Sequence, residues 1–201
     1  MNIFYKIPRW ALCQMSISEA FVFAYIHGFK SWCRISTDTI AEHLQMPVRT
    51  VRNALTGLCE SGCIESRPCK NRGIHELNVN AAMITACSKQ WISENRTRKK
   101  PIPPELTVSQ EIVFRFGATV SSLLIANILQ MQQGIDTKYA ECGSEMCMGV
   151  RITQAELCEQ CSCSRMQVSR AIKSLNAAGI LEVETSNIKW HESFLTYRVN
   201  L

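Results

Sequence analysis

A chain of 201 residues, of which 46% are hydrophobic, is long enough to form two small cores, and its net charge is +5. No run is apolar for long enough to span a bilayer, and residues 1–10 lack the apolar stretch of a signal peptide. We therefore expect a cytoplasmic protein that does not enter a membrane, with its 11 cysteines reduced.

Two segments of the chain carry the same apolar pattern. Residues 34–65 and 151–182 align without a gap at a shift of 117 positions, which places Gly62 on Gly179. Apolar positions coincide along both segments, whereas the polar positions between them differ. The repeat therefore preserves a scaffold and varies its surface.

The first copy predicts three helices followed by a hairpin. Residues 18–29 predict a buried helix and residues 37–44 a short second one, which the proline-containing residues 45–47 interrupt. Residues 48–61 predict the third helix, and Gly62 is placed to end it in a left-handed conformation. The predicted buried stripe of this helix contains Val48, Val51, Leu55 and Leu58. Residues 64–79 predict a β-hairpin.

The second copy predicts the same order. Residues 119–132 and 153–160 predict helices, and Ser164 is placed to cap the next helix in a capping box with Gln167. Gly179 is placed to end that helix, and residues 180–199 predict the second hairpin. Residues 134–149 have no clear periodicity and predict an inserted loop.

Helix, tight turn, helix and hairpin is the order of a winged helix-turn-helix. We therefore predict a mostly α chain with small β-hairpins, of the α+β class, built from two tandem winged helix-turn-helix domains. The predicted domains cover residues 1–90 and 105–201. Residues 91–104 predict a basic, proline-containing linker between them.

Positive charge gathers in the first part of the chain. Residues 1–90 contain ten Lys or Arg against six acids, the linker four against one, and residues 105–201 eight against ten. The linker cations could neutralise phosphates of nucleic acid, or they could keep a solvated segment soluble. Its candidate contacts are Arg98, Lys99 and Lys100.

The outward faces of the second helix in each pair are the predicted DNA-binding surfaces. Arginine and asparagine can make paired hydrogen bonds to guanine and adenine edges, although an ordinary solvated helix face is the alternative. The candidates in the first copy are Arg49, Thr50, Arg52, Asn53 and Thr56, with Arg67, Lys70 and Arg72 on the hairpin. Those in the second copy are Ser164, Arg165, Gln167, Ser169, Arg170 and Lys173, with Lys189 and His191 as weaker counterparts on the hairpin.

Four resemblances support this interpretation. Residues 164–181 (SRMQVSRAIKSLNAAGIL) resemble the recognition helix of GntR-type bacterial regulators, which implies DNA contacts for Arg165 and Arg170. Residues 7–29 (IPRWALCQMSISEAFVFAYIHGF), with the first turn motif, resemble helix-turn-helix proteins of phages, plasmids and integrative elements. Residues 112–132 (IVFRFGATVSSLLIANILQMQ) resemble the corresponding start of phage replication proteins, and tandem winged helices are similar to plasmid replication initiators.

The cysteines and histidines predict no catalytic or metal site. Cys158, Cys161 and Cys163 fall on Ala41, Leu44 and Met46 of the first copy, which favours core or turn positions. A zinc site would use such closely spaced thiolates, and Cys142 and Cys147 in the insertion keep that alternative open. The histidines are scattered, and no phosphate-binding glycine loop occurs.

We expect a sequence-specific protein that binds double-stranded DNA, without enzymatic activity, cofactor or evident small-molecule effector. Regulation of transcription on a bacterial mobile element is the leading interpretation, and a homodimer is possible. A phage or plasmid replication initiator that binds origin repeats is one alternative. A winged-helix adaptor for other proteins is another, since the second domain is net acidic.

Overall fold

The computed structural model describes residues 4–29, 31–69, 74–96, 102–142, 149–186 and 194–200; of these, residues 68, 134–142, 185, 186 and 194 are described by backbone alone. The chain has a mixed α/β fold with small antiparallel sheets. It divides into two compact units, Met1–Thr119 and Val120–Leu201.

The first unit mixes short strands and helices. In chain order it contains β1 (Phe4–Pro8), α1 (Arg9–Gln14), α2 (Ile17–His27), β2 (Cys33–Ser36), α3 (Thr37–Leu44), α4 (Val48–Glu60), β3 (Ile64–Pro68), β4 (Ile74–Val79), α5 (Ala81–Asn95), β5 (Glu105–Ser109) and α6 (Gln110–Phe116).

Helix α2 is the centre of the first core. Ser16 caps it in a capping box with Glu19, and every residue from position 20 to 26 is buried, so the helix is apolar on all sides. Trp10 meets Phe23 edge to face, with ring centroids 5.5 Å apart. The buried residues of α3, α4 and β4 complete this core.

A tight turn joins α3 to α4. Gln45 adopts a left-handed conformation with φ 50°, and the Met46 amide donates to the Ala41 carbonyl at 3.0 Å, which closes α3 with a Schellman-type bond. Pro47 then precedes the first turn of α4. The buried side of α4 consists of Val51, Ala54, Leu55 and Leu58, whereas Val48, predicted to be buried, is half-exposed because it lies in the first turn.

The predicted first hairpin forms, within a three-stranded antiparallel sheet in the order β2, β4, β3. Leu77 of β4 lies opposite Cys33 of β2 and Ser66 of β3. Because side chains alternate along a strand, these residues share the inner face of the sheet, and Arg34, Glu76 and Arg67 share the outer face.

Strand β5 pairs antiparallel with β1, with Lys6 opposite Thr107. Tyr5 and Ile7 are buried from one strand, and Leu106 and Val108 from the other. The predicted domain boundary assigned residues 105–119 to the second domain, and the first compact unit of the structure extends to Thr119. Part of the predicted linker is also helical, because α5 continues to Asn95.

The second unit repeats the turn-connected helices and the sheet. In chain order it contains α7 (Val120–Cys142), β6 (Val150–Ile152), α8 (Gln154–Cys161), α9 (Arg165–Ala177), β7 (Leu181–Ser186) and β8 (Phe194–Val199). The strand order is β6, β8, β7, and the predicted second hairpin is β7 with β8.

The core of the second unit is built on α7. Residues 122–128 of this helix are buried, and Asn127 donates to the Gln160 side chain of α8 at 2.8 Å. The prediction of a loop from residue 134 is wrong for residues 134–142, whose backbone continues α7. Their mixture of charged and small residues hides an amphipathic period but remains compatible with helix.

The two turn-connected helix pairs correspond residue by residue at the shift of 117. Helices α8 and α9 begin and end at the positions equivalent to the ends of α3 and α4. Ser162, equivalent to Gln45, has φ 51°, and the helix-ending Gly62 and Gly179 have φ 70° and 68°. The structure thus confirms the repeat and its two left-handed glycines.

Candidate nucleic-acid interface

The outward face of α4 carries three exposed polar side chains close together. Arg49, Arg52 and Asn53 are exposed, Thr50 is half-exposed, and the buried stripe lies on the opposite side of the helix. Neither arginine forms an ion pair with any residue that the structure describes. Both guanidinium groups are therefore available for an anionic partner.

The hydroxyl of Thr56 has a local role in α4. Although Thr56 is exposed, its Oγ1 donates to the Arg52 carbonyl at 3.0 Å. In this conformation the hydroxyl hydrogen of Thr56 is used within the helix, and the hydroxyl oxygen can accept a hydrogen bond from a partner.

The outward face of α9 is more basic than that of α4. Arg165, Arg170 and Lys173 are exposed, and none of the three forms an ion pair within the described part of the chain; Ser169 is half-exposed. At the equivalent positions α4 has Val48, Asn53 and Thr56, so the arrangement of charge differs between the two faces.

Ser164 and Gln167, which the sequence predicted as DNA contacts, form the capping box at the start of α9, and this capping box was also predicted. The Gln167 amide donates to Ser164 Oγ at 3.3 Å, and the Ser164 amide donates to Gln167 Oε1 at 2.9 Å. Both residues remain exposed. Their hydrogen bonds hold the first turn of α9, so their first role is to orient the helix.

The outer face of the first sheet presents an arginine on an aromatic ring. The guanidinium carbon of exposed Arg67 lies 3.8 Å from the centroid of the Trp32 ring. Next to it, Arg34 Nε donates to Glu76 Oε1 at 2.5 Å. Glu76 raises the pKa of Arg34 through this hydrogen bond and its charge. Stacking on Trp32 restrains Arg67 while its outer surface stays open to solvent.

The second sheet has a different charge on its outer face. Glu184 occupies the position equivalent to Arg67, and Arg198 NH1 pairs with Glu182 Oε2 at 3.5 Å. Arg151 remains exposed on the neighbouring strand. The described part of this hairpin is therefore less suited to phosphate contact than the first hairpin.

A groove of about 530 Å³ lies between α4 and the inner face of β3 and β4. Leu55 and Leu77 give it an apolar floor, and Arg52 is on its wall. The complete lining is Thr37, Arg52, Leu55, Thr56, Cys59, Glu60, Ser66, His75 and Leu77. The groove thus adjoins the basic face of α4.

The cysteines of the second turn lie where the repeat predicted them. Cys161 and Cys163 are buried, and Cys158 is half-buried. Burial raises the pKa of Cys163 to about 11, and its Sγ lies 3.2 Å from the Cys161 carbonyl oxygen. The residues that the structure describes contain no group of three potential metal ligands.

Several predicted contacts lie outside the described residues. These are Lys70 and Arg72 of the first hairpin, Arg98, Lys99 and Lys100 of the linker, and Lys189 and His191 of the second hairpin. Cys147 also lies outside them, and Cys142 is described by its backbone alone. No helix in the described part of the chain is long and apolar enough to cross a membrane.

Sequence reasoning missed Trp32, Ser66 and His75. Trp32 lies two residues before the repeated segment, so the alignment of the two copies did not include it. Ser66 and His75 are separated by turn-forming residues, and only the register of β3 and β4 places both along the groove. Their equivalents Val183 and Leu195 are apolar, but the strand registers, and not the constant shift of 117, establish that Leu195 is equivalent to His75.

The chain matches no family model and no curated protein. Among solved structures, 90% of the chain is similar to the DIP2311 protein from Corynebacterium diphtheriae, at 14% sequence identity and a TM-score of 0.27. The chain spans 26% of the length of that protein. A likeness at this level carries no argument about the fold or the function.

Proposed function

We propose that this chain is a sequence-specific duplex DNA-binding protein whose two repeats act as winged helix-turn-helix domains. Helices α4 and α9 are the recognition helices in this proposal. The observation that carries it is the pair of exposed basic faces, each on the second helix of a turn-connected pair and each without ion pairing among the described residues. Unpaired cations on a helix that a tight turn presents suit the major groove of DNA.

The hairpin of the first unit supports the same proposal. Arg67 is exposed and restrained on Trp32, so little conformational freedom is lost when it meets a phosphate. On the second hairpin, Glu184 occupies the position equivalent to Arg67, so we propose a smaller contribution to DNA binding from that hairpin. We therefore propose that the hairpin of the first unit contacts DNA, together with helices α4 and α9 of the two units.

The biological role in this proposal is regulation of transcription on a bacterial mobile element, in the cytoplasm where such DNA lies. The chain acts by binding alone, as no reaction is needed to occupy a site. Initiation of phage or plasmid replication at origin repeats uses the same DNA-binding surfaces. The acidic side chains Glu182 and Glu184 on the second sheet favour an adaptor role for that face as a second candidate function.

The proposal is tested by selecting bound duplexes from a random library and measuring affinity for the selected site against an unrelated duplex. The variant Arg52→Ala with Asn53→Ala should lose about 1–3 kcal/mol for each base contact removed and should keep its folding. The control Lys89→Ala on α5 should bind as the unaltered protein does. Equal affinity for selected and unrelated duplexes at every salt concentration would refute sequence-specific binding.

A further inference from the structure

The groove between α4 and the first hairpin is polar at positions where the second repeat is apolar. Ser66 and His75 lie at the positions that Val183 and Leu195 occupy in the second sheet, as the strand registers establish. At the floor, Leu77 takes the place of the fully buried Tyr197. The first repeat therefore has polar side chains at two positions where the second repeat, on the same scaffold, has apolar ones.

Three polar side chains in this groove are unpaired among the described residues. Neither the Ser66 hydroxyl nor the His75 imidazole has a hydrogen-bond partner among the described residues, and Arg52 has no ion pair among them. Three donors thus line one groove with the apolar floor of Leu55 and Leu77. A volume of about 530 Å³ lies within the ordinary range for a small-molecule site.

The charges along α4 give the groove a direction. Arg52 and Glu60 both line it, and eight residues of helix separate them by about 12 Å. An anion is therefore favoured at the Arg52 end and disfavoured at the Glu60 end. The occupant that fits has a negative group at one end and a ring of limited polarity beside it, with hydrogen-bond donors at its other end.

We propose that this groove binds one nucleotide unit, with its phosphate at the Arg52 end and its sugar over Leu55 and Leu77. The unit belongs either to a strand of bound DNA or to a free nucleotide that competes with DNA for Arg52. In the first case the inference rests on the proposed function and adds Ser66 and His75 to the DNA contacts. In the second case the groove regulates the α4 face.

The test uses the full chain with Ser66→Val and His75→Leu together, the residues that the second repeat has at these positions. The control is Asn78→Ala, on the outer face of β4. Affinity for the selected duplex and thermal stabilisation by deoxyadenosine monophosphate are measured for each protein, with deoxyadenosine as the ligand that lacks phosphate. Circular dichroism verifies folding, and Ser66→Val alone replaces the double variant if that variant does not fold.

A DNA strand in the groove predicts that the double variant loses about tenfold in duplex affinity, with no stabilisation by the free nucleotide. A free nucleotide in the groove predicts that deoxyadenosine monophosphate, but not deoxyadenosine, stabilises the unaltered protein and the control and leaves the double variant unaffected. Unchanged duplex affinity together with no nucleotide effect on the unaltered protein would overturn the inference. If the unaltered protein binds no duplex, the proposed function fails, and the nucleotide measurement alone decides the groove.

Discussion

Neutralising the basic face of α9 should weaken DNA binding in a way that salt reveals. Arg165→Gln with Arg170→Gln removes two exposed guanidinium groups that have no ion pair among the described residues. Glutamine has nearly the helix propensity of arginine, and exposed substitutions change stability by at most about 0.5 kcal/mol each. The double variant should therefore fold as the unaltered protein does.

The size of the effect follows from counterion release. Each phosphate contact contributes about 0.9 to the slope of log affinity against log salt concentration, so two contacts contribute about 1.8. Between 50 and 200 mM salt, the unaltered protein should then lose about twelvefold more affinity than the double variant does. If one arginine reads a base, the slope difference falls to about 0.9, and the affinity loss at all salt concentrations grows by about 1–3 kcal/mol.

The assay is fluorescence anisotropy of a labelled, selected duplex at four or more salt concentrations. Lys89→Gln with Arg115→Gln is the charge-matched control, because both residues are exposed cations outside α4 and α9. The control should keep the slope of the unaltered protein. An unchanged slope and affinity for Arg165→Gln with Arg170→Gln would refute the assignment of α9 as a DNA-binding helix.

Three further predictions concern the fold. Gly62→Ala and Gly179→Ala should each destabilise their unit by about 1–2 kcal/mol in urea unfolding, because φ is 70° and 68° at these positions. An added Cβ would meet no atom within 4 Å, so the cost comes from the backbone conformation and not from a clash. Equal stability of the variants and the unaltered protein would contradict the left-handed assignment. Burial raises the pKa of Tyr25 and Tyr197 to about 12, so stability should be full below pH 10 and fall as the pH rises toward 12. Tyr197→Phe should flatten that fall in melting temperature, and an unchanged pH dependence would exclude Tyr197 as its source. Finally, the purified protein should contain less than about one zinc per chain and melt at the same temperature with a chelator, whereas stoichiometric zinc and chelator-induced unfolding would establish a metal site.

The repeated helices were predictable because their signals are local and strong. Thr37–Leu44 was predicted with the bounds that the structure has, and the start of α4 after Pro47 was predicted as well. The left-handed Gly62 and the capping box of Ser164 follow from residue types with a narrow conformational role. Such features depend on neighbours within one or two helical turns.

The remaining elements depend on distant partners. Strands β1 and β5 have five residues each, too few for a clear alternating pattern, and their pairing joins segments about 100 residues apart. Helix α5 has no buried residue, so it lacks the apolar stripe by which a helix is recognised. The loop prediction for residues 134–142 failed for the same reason, because no stripe marks the end of α7.

The candidate site likewise contains features that the sequence predicts and features that depend on distant partners. The basic faces of α4 and α9 were predictable from helical periodicity, since a residue's side of the helix follows from its spacing to the buried stripe. The groove was not predictable, because Ser66 and His75 meet α4 only through the register of β3 and β4. The stacking of Arg67 on Trp32 likewise requires that register.

Footprinting of the intact chain on a selected duplex tests the central claim most directly. If both repeats read DNA, the protein should protect two segments of different sequence, because the outward faces of α4 and α9 carry different side chains. Arg52→Ala with Asn53→Ala should then remove protection of one segment, and Arg165→Gln with Arg170→Gln should remove protection of the other. A single protected segment that both double variants retain in full would contradict the account.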